Sequence, residues 1–127
     1  MTTPDILICV GRTCLGSLFA VGGLRHFFIL PEMREFLASR RVPVPMFSLL
    51  VATSLQVLAG IALTAGVFVL VSAVWLILFT LMASVVALDF WNFRGEARMA
   101  ALQAWQANIA VIGGLFLIVA QYIGRST

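Results

Sequence analysis

The chain has 127 residues, 62% of them hydrophobic and 10% charged, with a net charge of +3. Such a composition leaves no aqueous domain in which to house a soluble active site, a nucleotide fold or a nucleic-acid surface. All eight basic residues are Arg, spread over loops and helix ends, so the positive charge reads as membrane orientation and lipid-headgroup contact rather than nucleic-acid binding.

Residues 1–5 lack a basic n-region, and Arg12 interrupts what would be a signal-peptide core, so the first apolar segment is expected to be retained. That segment, residues 6–30, carries Arg12, Gly16, Phe19, Gly23 and His26 at spacings of 4, 3, 4 and 3, one continuous helical stripe. A stripe of this kind must face protein, because polar side chains in hydrocarbon are costly and glycines allow a neighbouring helix to approach closely. Arg25 falls on another face, where it can snorkel to headgroups. Cys9 and Cys14 lie about 140° apart on the same helix, which excludes a local disulfide or a C-x-x-C redox pair and makes them packing residues.

Pro31 closes the first span and suits the first turn of a new helix, where its missing N–H goes unmissed. Residues 31–39 are expected as a short interfacial helix, with Glu32 and Glu35 in its opening turns, Met33, Phe36 and Leu37 on an apolar face and Arg34 among its polar residues. Val42-Pro43-Val44-Pro45 is expected to be extended, since each Pro disfavours the α conformation in the residue before it. The second and third spans, 46–66 and 67–88, hold no charged residue and are parted by the single break Ala65-Gly66, a tight antiparallel hairpin. Thr53, Gln56, Gly60 and Thr64 form a stripe on the second span that matches the one on the first. Gln56 lies near the midpoint, where its four hydrogen-bonding sites call for either an interhelical bond or contact with a bound head group or quinone carbonyl.

Asp89 ends the third span and opens Asp89-Phe90-Trp91-Asn92-Phe93-Arg94, a polar and aromatic segment suited to the membrane interface. A helical pattern resumes at Glu96 and runs, as a lateral amphipathic turn, into a fourth span at 104–123. Asn108 shares a stripe there with Ala101, Trp105 and Ile112. A helix rises about 1.5 Å per residue, so about 20 residues cross the roughly 30 Å hydrocarbon layer. The expected fold class is therefore all-α: one transmembrane domain, residues 1–127, forming an integral membrane four-helix bundle with a short interfacial helix between spans one and two. Arg25, Arg34, Arg40, Arg41, Arg94 and Arg98 fall on one side and Arg12 and Arg125 on the other, which places both termini outside the cytoplasm.

His26, Asp89 and Asn108 occur at similar depth on the Arg-rich side and are expected to converge, either as a structural polar lock or as a ligand or proton site. With Gln56, Trp91 and Trp105 they make up the candidate residues for a quinone or bound lipid. One histidine with distant cysteines makes no credible zinc site, and no catalytic signature for nucleophilic or metal-assisted chemistry stands elsewhere. Gly22-Gly23 and Gly113-Gly114 follow no strand, so they are packing features rather than phosphate loops.

Taken in order, Phe19-Ala20-Val21-Gly22-Gly23-Leu24-Arg25-His26-Phe27, Phe36-Leu37 with Val42-Pro43-Val44-Pro45, Gln56-Val57-Leu58-Ala59-Gly60, Asp89-Phe90-Trp91-Asn92 and Asn108-Ile109-Ala110-Val111-Ile112-Gly113-Gly114-Leu115 resemble the DoxX/DoxD-type small membrane proteins. The resemblance implies a four-helix membrane bundle in a bacterial inner membrane, tied through DoxD to thiosulfate:quinone oxidoreduction and through other members to membrane redox or detoxification assemblies. Family members often carry an acidic residue where this chain has Gln56, which would leave Arg12 without an ionised partner and favours a neutral structural or assembly role. Three functions are expected in descending order: a non-catalytic accessory subunit of a quinone-linked redox complex, bound to lipids and other membrane subunits; a stand-alone DoxD-like quinone-linked oxidoreductase; and a small-solute transporter.

Overall fold

The computed structural model describes residues 2–41 and 44–126. Five α-helices account for most of them: α1, Thr3–Phe28; α2, Leu30–Ser39; α3, Pro45–Ala65; α4, Val69–Ala87; and α5, Gly95–Ser126, with a short 3-10 turn at Phe90–Asn92 between the last two. Among the described residues four helices are long and apolar enough to cross a membrane, and the protein is an all-α membrane bundle.

Local chemistry sets the ends of these helices. Thr2 caps α1 by accepting from the Asp5 amide at 3.4 Å, and the Asp5 carboxylate accepts from the Thr2 amide at 3.1 Å, a reciprocal pair that satisfies two otherwise orphaned donors. Gly66 closes α3 in the left-handed conformation, φ 82°, with its amide on the carbonyls of Ala62 and Leu63, so the α3–α4 hairpin turns where Ala65-Gly66 said it would.

Two expectations change. Val42 and Pro43 lie outside the described residues, but Val44 is left-handed at φ 43° and ψ 66° rather than extended, because the chain must reverse from α2 straight into α3 with Pro45 in its first turn. Residues 95–103 are not a separate lateral turn. They are the opening turns of the same helix that forms the fourth span, since no Pro or Gly interrupts residues 96–112.

The spanning helices close a ring in the order α1, α3, α4, α5, with α2 laid on α3 and the end of α1. The α1–α3 seam is the tightest, and it joins the two polar stripes read from the sequence. A β-carbon on Gly16 would lie 2.5 Å from the Gly60 carbonyl oxygen, and one on Gly60 would lie 2.6 Å from that of Gly16, so the two backbones touch with nothing between them. Drawn toward α3, α1 sits diagonally from α4: among the described residues no Cα of one comes within 8 Å of a Cα of the other. Buried Phe19, Leu63, Ala73, Leu76, Leu115 and Ile118 fill the middle. The outward faces of α1, α4 and α5 remain apolar and exposed, as lipid-facing helices must be.

Candidate functional site

The diagonal arrangement separates the residues expected to converge. His26 ends α1, Asp89 follows α4, and the structure gives each a different environment, so the expected His26–Asp89–Asn108 cluster does not assemble. Asp89 accepts from Arg40 Nη1 and, at 2.9 Å, from Asn92 Nδ2. The Arg40 guanidinium is stacked between two rings, 5.0 Å from the Phe36 centroid and 5.4 Å from that of Phe93. This latch ties the end of α2 to the segment after α4. Asn108 turns instead to α4, where its Nδ2 donates to Ser84 Oγ at 2.8 Å and Ser84 donates to the Thr80 carbonyl at 2.7 Å.

The remaining candidates also scatter. Gln56 lies in the α1–α3 seam and donates from Nε2 to the Phe19 carbonyl at 2.9 Å, while its buried Oε1 has no partner among the described residues. Trp105 donates from its indole to the Leu88 carbonyl and meets the Phe90 ring edge-on at 6.2 Å. Trp91 is 54% exposed and touches Phe90, the posture of an interfacial ring. Arg12 is not opposite Gln56. Its guanidinium lies over the Gly66 turn, at the carbonyl end of α3 where a cation is favoured, and Nη2 donates to Cys9 Sγ at 3.4 Å.

What the sequence did not reveal is a chamber. It lies where α2 and α4 fail to meet, floored by α3, with a volume of about 200 Å³. His26 of α1, Met33 and Phe36 of α2, Thr53 of α3, and Trp75 and Met82 of α4 help to line it, and no lining residue is Asp, Glu, Lys or Arg. Met82 is 59% exposed, whereas the other lining residues are buried or half-buried, so the mouth opens on the lipid-facing side of α4. Two of these side chains bury a nitrogen with no hydrogen-bond partner among the described residues: His26 Nδ1 and Trp75 Nε1. Both nitrogens are sealed within the packing rather than open to the chamber, whose surface is almost wholly apolar. Among the described residues no three of His, Cys, Asp and Glu gather to hold a metal ion.

The sequence singled out His26, but neither Trp75 on the chamber wall nor Arg40 in the latch. Trp75 sits inside an unbroken apolar run, where nothing in the spacing marks one face from another. The signal for Arg40 was present in its spacing of four from Phe36 at the end of α2, with a lone Asp on the Arg-rich side.

The DoxX family model matches residues 7–89, from the first turns of α1 to the carboxylate of the latch. The chain belongs to the DoxX family. Its similarity extends to the inner membrane protein YphA of Escherichia coli (strain K12), 24% identical over 113 residues, which covers 89% of this chain and 81% of that one. No solved structure matches it significantly. All of the α1–α3 seam, the chamber's wall from α1 to α4 and Asp89 thus fall within the DoxX match, whereas α5 lies beyond it.

Proposed function

We propose that this DoxX protein is a non-catalytic subunit of a membrane redox assembly linked to the quinone pool, set in a bacterial inner membrane with both termini outside the cytoplasm. The chamber open to the lipid carries this reading: a small bundle that keeps an apolar cavity accessible from the bilayer is built to hold a membrane-soluble molecule beside a partner. The titratable groups support a holding role over a chemical one. Asp89 is committed to Arg40 and Asn92, Cys9 accepts from Arg12, and Cys14 lies exposed on α1. The six Arg on the α2 side against Arg12 and Arg125 support the orientation.

Gentle detergent extraction tests the assignment, followed by identification of the co-purifying proteins and of the lipids and quinones in the extract. Recovery with subunits of a redox enzyme is the expected result. A solitary protein carrying no quinone overturns it.

A further inference from the structure

We propose that α2 is a lid over the chamber on the Arg-rich side, hinged where it leaves α1 and held shut by the Arg40–Asp89 latch. The inference stands apart from the quinone-pool reading, because it concerns a wall of the chamber whatever occupies the space.

α2 stands between the chamber and the aqueous side. Its inner face presents half-buried Met33 and Phe36 to the cavity, while its outer face exposes Glu32, Arg34 and Glu35. Although α2 and α4 both line the chamber, among the described residues no Cα of one comes within 8 Å of a Cα of the other, so no helix packing seals that gap. The latch bridges it. Among the described residues, Arg40 and Asp89 make the one ion pair or hydrogen bond from residues 30–41 to α4, α5 or the turn between them, with Phe93 against the guanidinium. Phe36 lines the chamber and also lies under that guanidinium, so the latch and the wall share a side chain.

Local geometry suits α2 to lifting. α1 ends at Phe28 and α2 begins at Leu30, so the hinge is the single residue Ile29, whose ψ of 32° departs from the helix. Beyond the other end of α2, Arg41 and Val44 are left-handed, at φ 61° and 43°. A β-branched residue such as Val44 adopts that conformation only when its surroundings force it, and a lifted α2 relieves the constraint. The closed latch is itself incomplete, since Asp89 Oδ1 is buried with no partner among the described residues. Little apolar burial is lost on opening, because Met33 and Phe36 exchange the cavity for the acyl boundary, where an amphipathic helix rests with its apolar face down. The mouth beside Met82 already admits molecules from the lipid; the lid governs entry from water.

The test places one cysteine on the chamber wall, Ala83→Cys, in the full chain carrying Cys9→Ser and Cys14→Ser, and follows its labelling in nanodiscs. A charged, water-soluble methanethiosulfonate is expected to react slowly while the latch is intact. In Arg40→Gln or Asp89→Asn it should react about tenfold faster, the change expected for loss of one hydrogen bond between charged groups. A lipid-soluble maleimide, which enters beside Met82, should react at the same rate in all of them. Ser72→Cys, buried on α4 away from the chamber, should stay unreactive throughout, which separates a lifted lid from a loosened bundle. A melting curve identifies which latch variants are folded, and one suffices. An unchanged rate with the charged reagent in a folded latch variant, equal acceleration of both reagents, or labelling at Ser72→Cys overturns the proposal. Failure of both latch variants to fold overturns it as well, because a lid comes away from a bundle that remains standing.

Discussion

Gly16 of α1 and Gly60 of α3 meet backbone to backbone, each occupying the space that the other's β-carbon would need. The contact explains why the first and second spans adhere most closely. Substitution there cannot be absorbed by a flexible side chain, because the obstructing atoms are Gly16 O, Ala20 N and Ala20 Cα. Gly60→Leu should destabilise the protein by at least the roughly 1–3 kcal/mol typical of overpacking. Gly113→Leu, where nothing lies within 4 Å, should leave the melting temperature in detergent close to that of the parent.

Asp89→Asn and Arg40→Gln each break the latch and should each lower thermal stability by several degrees, whereas Glu96→Gln, on the exposed first turn of α5, should not. Because the two latch residues act on each other, the double variant should fall little further than the worse single one. Additive losses would show that the pair is not a unit. A double-mutant cycle of melting temperatures measures this directly.

Gln56 makes one bond and leaves one oxygen orphaned, so the loss of its amide is partly offset by removal of a buried unpaired acceptor. Gln56→Met should change stability by less than about 1 kcal/mol. Gln56→Glu should cost distinctly more, since an ionised carboxylate would face the Phe19 carbonyl with no donor between them. Denaturation of the two variants in a graded detergent mixture ranks them.

Trp105 and Trp91 are close in sequence and differ in duty. Trp105→Phe removes the donor to the Leu88 carbonyl at the end of α4 and should loosen the α4–α5 contact, lowering the melting temperature; Trp91→Phe, at an exposed ring, should be near neutral. Accelerated proteolysis around residues 88–95 in Trp105→Phe alone would be the accompanying sign.

The spans, the interfacial helix and the two facing stripes were legible in the sequence because hydropathy reports depth and helical spacing reports face. His26, Asp89 and Asn108 show where that information stops. Depth placed all three at one level, yet nothing in a single sequence says which helix stands beside which, and the glycine contact that draws α1 away from α4 is a property of the pair of stripes rather than of either one. Arg40 counted only toward the Arg-rich side for a related reason: its partners, Asp89 and Phe93, belong to another loop. The chamber was invisible because a cavity is the absence of a contact, and Trp75 on its wall has the same local neighbours that a lipid-facing residue would have.

The latch joins residues 49 positions apart. Synthesis proceeds from the N-terminus, so α2 emerges with its apolar face of Met33 and Phe36 long before Asp89 and Phe93 exist to hold it. Until the α3–α4 hairpin has been inserted, α2 can rest only on α1 and the membrane surface. The chamber is therefore among the last features of the fold to acquire a boundary, and the order of insertion decides when its walls first come together.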